Sequence, residues 1–522
     1  MSTRLVRHLA PCLVAPLLSA CGADPTVAPL DGSALPGPDA VAAVAVDNGP
    51  DVPAAPGLVR ALTITDVSLF QAVRVPLLRQ GSEVTARTVP VVAGRAAVVR
   101  VYVRPEAGFR TGAVEGFLTV RRGEVGTVLR DRRSISRASR DESDGSVFQF
   151  ALPPEAVGPD TRISVQLMAP GGAEVEPGVP DAARFPADGA DHPLRAQEDG
   201  GLDVVVVPFR WEVDGSGRLP STADDQIEDM RSSLRAMYPV SEVRITVHEP
   251  VAWTRGLLRS GSADFGAMIA TLRSLRQREE APSGVYYYGL VTPTEFFDEY
   301  CQGPCTLGQG YLGVVANDRS GKVAAGLGYY GDRAAQTFVH ELGHNHGRSH
   351  APCGGAAGPD LAFPYERGVI GDWGYDERRR ALVRPSAYDF MGYCDPRWVS
   401  DYSYSALWDR IRAVNDVPVT VGLRVGASTA RSPQRHRVLR LDGAAMAEWL
   451  DPLDLPPVES GGATLRWLDA AGTTLREAPA QVDALGDSDE VHVLAPPPPA
   501  GAVVVDVTRA GGTRRVALPT RW

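Results

Sequence analysis

Gln336-Thr337-Phe338-Val339-His340-Glu341-Leu342-Gly343-His344-Asn345-His346-Gly347-Arg348-Ser349-His350 is the stretch from which the rest of the chain can be read. It holds four of the nine histidines in a chain of 522 residues. His340 and His344 stand four residues apart, so on an α-helix they share a face and can offer imidazole nitrogens to one metal ion. Glu341 lies one step round the helix, where it can reach water beside the metal without displacing a ligand. Gly347 can adopt a positive φ, which ends the helix and turns the chain. That turn brings His350 back as a third ligand. Three protein ligands leave one position open for water, the arrangement of a catalytic zinc rather than a structural one. His346 points off the metal face and is expected to be structural. A surface helix with solvated histidines would have no need of this His-Glu-His-Gly-His set.

Farther along stands Tyr388-Asp389-Phe390-Met391-Gly392-Tyr393-Cys394. Together with HExxHxxGxxH it resembles the metzincin clan of zinc endopeptidases, whose Met-turn has this form. The resemblance implies that Met391 lies beneath the metal as an apolar floor and does not ligate it. It also implies that Tyr393 approaches the metal and stabilises an oxyanion, as in astacin-like and serralysin-like members. Ala351, after the third ligand, departs from the residues that mark the familiar subfamilies, so the subfamily stays open. Upstream, Ala325-Gly326-Leu327-Gly328-Tyr329-Tyr330 resembles the strand that borders the cleft, an edge an extended peptide can join by strand addition. The implied reaction is peptide-bond hydrolysis at one Zn2+, with Glu341 as general base. No cysteine lies between Cys21 and Cys301. A cysteine switch therefore has no thiol to use, while an aspartate-based block and the absence of any zymogen both stay open.

Working outward, the resemblance covers about residues 202–415, where strand-like and helix-like segments alternate. Leu202–Val207, Val243–Val247 and Val285–Val291 read as strands. Asp224–Tyr238, Phe265–Arg278 and Ser403–Val414 read as helices. From about 58 to 200, short β-rich runs recur between turn signals (Leu62–Leu69, Ala97–Val103, Ala113–Val120, Val147–Leu152, Arg162–Met168), which predicts a β-sandwich. After about 415 short strands return, at Val417–Val425, Arg437–Leu441, Ala463–Leu468, Glu490–Leu494 and Ala502–Val507. The expected fold class is multidomain α+β: a metzincin-like catalytic domain with a mixed sheet and an active-site helix over 201–415, flanked by β-sandwich-like domains at 58–200 and 416–522.

Residues 1–20 read as an export signal, with Arg4 and Arg7 ahead of the apolar run Leu9–Leu18. It ends in Leu18-Ser19-Ala20-Cys21, which resembles a bacterial lipobox and implies a lipid anchor on Cys21. Residues 21–57 are poor in large apolar groups and read as a tether. The expected location is the bacterial cell envelope, as an anchored surface or periplasmic lipoprotein, with membrane attachment through the lipid alone. In an exported chain Cys301, Cys305, Cys353 and Cys394 favour two disulfides. Three pairings are possible, and Cys301–Cys305 with Cys353–Cys394 is the one expected. The chain carries 53 basic and 63 acidic side chains, a net charge of −10 that argues against nucleic acid as a partner. A monomer acting on protein or glycoprotein is expected. The rival readings are a non-catalytic surface-binding lipoprotein with a vestigial zinc site, and a zinc hydrolase of a non-peptide bond.

Overall fold

The computed structural model describes residues 44–46, 57–169, 180–257, 261–313, 321–415, 434–443, 446–455 and 461–522. The expected export signal, the Cys21 anchor, nearly all of the tether and the strand expected at Val417–Val425 lie outside the described residues. The chain is multidomain and mostly β, with few helices and curled sheets.

The valine run that starts at Leu202 becomes the spine of the central sheet. Strand Leu202–Trp211 lies parallel to Val243–Val247 on one side and to Val285–Val291 on the other. Val323–Leu327 follows, again parallel, and Gly308–Gly310 closes the edge antiparallel. Helices cover both faces, so the strand can be apolar at successive positions. Val204 and Val206 join the core beneath helices α1 (Asp224–Met237) and α4 (Asp332–Asn345), whereas Val207 and Phe209 pack with α2 (Phe265–Arg278). Helix α1 buries Ile227, Met230, Leu234 and Met237 along one stripe. Asp224 and Asp225 sit at its positive end and Arg235 in its last turn, the favourable sense for the helix dipole. A one-turn helix α3 (Phe297–Tyr300) precedes the edge strand, and α5 (Asp401–Asn415) follows the Met391 segment.

The edge differs from expectation. The strand expected at Ala325–Tyr330 is Val323–Leu327, and it lies one position inside the sheet. The outer strand is Gly308-Gln309-Gly310, too short and too glycine-rich to read as a strand from sequence.

The N-terminal part forms two six-stranded sheets. One is built around Gly112–Arg122, Val125–Ile135 and Arg162–Met168, the other around Leu62–Arg79, Ala97–Pro105 and Val147–Leu152. The second sheet gains Gly374–Asp376 and Ala381–Val383 from far along the chain, with Tyr375 opposite Ala72. Trp398 Nε1 donates to the Ala72 carbonyl at 2.8 Å. Arg95 reaches the end of α1, donating to the carbonyls of Ala236 (3.0 Å) and Tyr238, where a guanidinium satisfies carbonyls the helix leaves free. The N-terminal sheets and one face of the central sheet consequently share a single apolar core.

The C-terminal part is a seven-stranded antiparallel sheet, ordered Ala447–Leu455, Gln434–Leu441, Val491–Ala495, Thr474–Ala484, Ala463–Leu468, Val504–Arg509 and Gly512–Ala517. Val438, Leu450, Leu453, Leu485 and Leu494 bury against α2 and Tyr311 of the central unit. This contact brings one of its hairpins to the end of α4.

Candidate metal centre

His340, Glu341 and His344 occupy the last turns of α4, and all are buried. The helix stops where Gly347 takes φ +82°. The Arg348 amide donates to the Gly343 carbonyl (2.9 Å) and the Gly347 amide to that of His344 (2.8 Å), a Schellman cap that only a left-handed residue permits. Asn345, fully buried, ties this end to the sheet by donating to the carbonyls of Tyr311 and Val323, both at 3.0 Å. Past the cap the chain reverses and brings His350 to the other two histidines. The ring of His350 stacks on that of His340 with centroids 5.3 Å apart and stands edge-on to His344 at 4.7 Å.

Each imidazole is oriented from behind. Nδ1 of His340 meets the Phe390 carbonyl at 2.9 Å, Nδ1 of His344 the Arg348 carbonyl at 2.7 Å, and Nδ1 of His350 the Ala357 carbonyl at 2.6 Å. A carbonyl only accepts, so Nδ1 carries the proton in all three and Nε2 presents its lone pair to a common point. That is the outer arrangement that fixes metal-ligating histidines.

Met391 is buried under the helix, so close to Gly343 that a β-carbon there would lie 2.3 Å from its sulfur. The turn around it is held by Asp389. One carboxylate oxygen accepts the Met391 amide (3.0 Å), and the other accepts the amide (3.0 Å) and hydroxyl (2.5 Å) of Ser400. The segment after His350 runs along this turn, with the Ala351 amide on the Met391 carbonyl and the Tyr393 amide on that of Cys353. The Cys353–Cys394 disulfide locks the two together, and Cys301–Cys305 closes its small loop before the edge strand. His346 lies away from the cluster, stacked on Tyr286 at 4.7 Å and bonded through Nδ1 to the Leu342 carbonyl. Burial pushes its pKa down to about 3, so it is a neutral packing residue.

A fourth group enters from elsewhere. Asp487 belongs to the hairpin between Thr474–Ala484 and Val491–Ala495, and its carboxylate lies 3.1 Å from Nε2 of His350, 3.2 Å from that of His344 and 3.6 Å from that of His340. One ligand atom from each of these four residues lies within 4.8 Å of all the others. Tyr393 reaches the same place, its hydroxyl donating to Asp487 and lying 3.2 Å from His350 Nε2. Nε2 of His340, Nε2 of His344, one oxygen of Glu341 and one of Asp487 are all buried without a hydrogen-bond partner. Orphaned polar atoms of His340, His344 and Asp487 gathered within one group are costly unless a cation joins them, so these residues with His350 fit a divalent metal. The donor set such an ion would meet is three imidazole nitrogens and one carboxylate oxygen.

The electrostatics divide the two carboxylates. Burial resists ionisation of Asp487, but the three imidazoles gathered round it outweigh that and hold its carboxyl well below the usual range. Burial, and then the charge of Asp487, push Glu341 well above its usual value. Burial and the same carboxylate also raise the Tyr393 hydroxyl.

The structure thus brings His340, Glu341, His344, His350 and Tyr393 together over Met391, with Gly347 making the turn. Asp487 is the member that sequence reasoning missed. It stands 137 residues beyond His350 in the acidic turn Leu485-Gly486-Asp487-Ser488-Asp489-Glu490, where nothing distinguishes it from a solvated loop. Among known families, the model described as Peptidase M66 matches residues 311–393, which include the whole histidine motif and the Met391 turn. No curated protein matches the chain. The match indicates a metallopeptidase.

Proposed function

We propose that the chain is a zinc-dependent endopeptidase of metzincin type that hydrolyses extracellular proteins. The observation that carries the reading is the convergence of three Nε2 atoms on one point, with the buried carboxylate of Glu341, one oxygen of it unpaired, on the same turn of α4. Zinc held there supplies Lewis acidity for the scissile carbonyl and for the attacking water. Glu341 takes the proton of that water and returns it to the leaving amine. Tyr393, freed from Asp487, donates its hydroxyl to the developing oxyanion. The edge Gly308–Gly310, laid against α4 beside Glu341, offers main-chain groups to an extended peptide.

The closed four-residue set favours a second reading, a non-catalytic binding lipoprotein with a structural metal. Against it stands Glu341, because a purely structural site gains nothing from a further buried carboxylate that keeps one oxygen unpaired. The two disulfides support export, and the export signal and lipobox of the sequence support a lipid-anchored envelope protein. No helix among the described residues is long and apolar enough to cross a membrane.

The test uses the zinc-loaded full chain carrying Asp487→Ala, with a denatured protein as substrate. Chelator-sensitive cleavage is expected, and adding Glu341→Ala should lower the rate by about 10²-fold or more while zinc stays bound. Absence of cleavage by the Asp487→Ala chain would overturn the reading. Equal rates with and without Glu341 would overturn the general-base assignment.

A further inference from the structure

The hairpin that carries Asp487 does more than complete a ligand set. Its backbone joins the open edge of the central sheet. The Leu312 amide donates to the Ala484 carbonyl at 2.9 Å, the Gly486 amide donates to the Gly310 carbonyl at 2.8 Å, and Tyr311 pairs antiparallel with Leu485. These are the main-chain contacts a bound peptide would make by strand addition. At the tip, Gly486 passes so close to His344 that a β-carbon would lie 2.2 Å from the ring. Only glycine lets the backbone approach that near, and the next residue then delivers its carboxylate to all three histidines and to the Tyr393 hydroxyl.

The tip is braced from the central unit. Leu485 is buried in the apolar cluster with Tyr311 and α2. Arg273 of α2 pairs with Asp483 at 2.6 Å, on the strand leading in. Just before the strand leading out, Glu490 pairs at 2.7 Å with Arg440, which also holds Asp264 at the start of α2. Both arginines are buried, so the hairpin has one seat rather than a range of positions.

We infer that the Leu485–Glu490 hairpin tip is a built-in inhibitor, with Asp487 as an exchangeable fourth ligand that keeps the centre latent until the hairpin withdraws. A permanent structural ligand would explain the carboxylate contacts alone. It would not explain why the tip also takes the peptide-binding edge and engages the hydroxyl of Tyr393. Withdrawal would free the fourth position, the strand edge and that hydroxyl in one movement. The inference rests on the peptidase reading above, but its test does not depend on turnover.

The test compares full chains loaded with Co2+ (wild type, Asp487→Ala and Gly486→Val) and titrates each with acetohydroxamate, reading the visible cobalt spectrum. Gly486→Val keeps every ligand and displaces the tip by steric contact with His344, so it serves even where loss of Asp487 weakens metal retention. Both variants should bind acetohydroxamate at least ~10-fold more tightly than wild type, the smallest factor that separates a blocked from an open position. In zinc form both should cleave a quenched fluorescent peptide at least ~10-fold faster than wild type, the same factor carried into turnover. Wild-type affinity equal to that of both variants would overturn the latch. Tighter hydroxamate binding with no cleavage by either variant would uphold the latch and overturn the peptidase reading instead.

Discussion

Asp389 shows how much of the centre depends on a residue that never meets the metal. Its carboxylate takes three hydrogen bonds, and the turn it fixes sets the Phe390 carbonyl that orients His340. Asp389→Ala leaves those buried donors unmatched and loosens an outer partner of a ligand. Metal affinity should fall by about 10–100-fold, the usual cost of losing such support. Competition with a fluorescent zinc chelator measures it, and an unchanged affinity would show that the turn holds without the carboxylate. His492 illustrates the reverse case, a buried base kept neutral. The Tyr311 hydroxyl donates to its Nδ1, its Nε2 faces Glu490 at 3.3 Å, and Arg273 and Arg440 crowd it, with Asp483 paired to the former. Burial, the largest effect, lowers its pKa despite Glu490. The unfolded chain therefore binds the extra proton first, so this contribution to stability is complete above about pH 6.5 and is lost as the pH falls below it. The slope is at most about 1.4 kcal/mol per pH unit. His492→Gln should flatten the fall of Tm between pH 7 and pH 5, and an unaltered slope would remove His492 as a cause.

At the scale of elements, the site is a helix end, a returning loop and a turn, held in register by few constraints. Helix α4 supplies two ligands by its own periodicity, but the third comes from a loop that must be fixed against the Met391 turn. The Cys353–Cys394 bond does so across a separation of 41 residues. By the loop-entropy estimate it is worth at most about 4 kcal/mol. Replacing both cysteines by serine should lower thermal stability and speed the loss of metal to a chelator. Retention of metal at the wild-type rate would place the restraint in the backbone pairing of Ala351 and Tyr393 instead. The near-continuous apolar runs that made Leu202–Val207 and Val285–Val291 legible as strands reflect cover on two faces. The edge Gly308–Gly310 carries no such pattern, since its contacts are main chain on both sides.

On the scale of the whole molecule, the N-terminal, central and C-terminal parts meet around one helix end. One N-terminal sheet, that of Leu62–Arg79, takes in the strands Gly374–Asp376 and Ala381–Val383, so the path from His350 to Met391 runs through it. The C-terminal sheet seats its hairpin on the opposite side, over the metal centre. Both partners share buried cores with the central unit, and the predicted latency belongs to this assembly rather than to any one part.

The four-residue and three-residue spacings of His340, His344, Gly347 and His350 are local, set by the helix repeat and one left-handed residue, and sequence alone determined them. So were Glu341 and, through its likeness to a known turn, Met391. The pairing of the four cysteines, one expected among three that the sequence allows, is the one the structure has. Tertiary structure alone decided that the outer strand is Gly308–Gly310, that Asp389 holds the turn, and that Asp487 completes the centre. These depend on contacts between segments far apart in the chain. A carboxylate in an acidic turn has no periodicity to betray it, and only the docking of a distant sheet sets it among the three histidines.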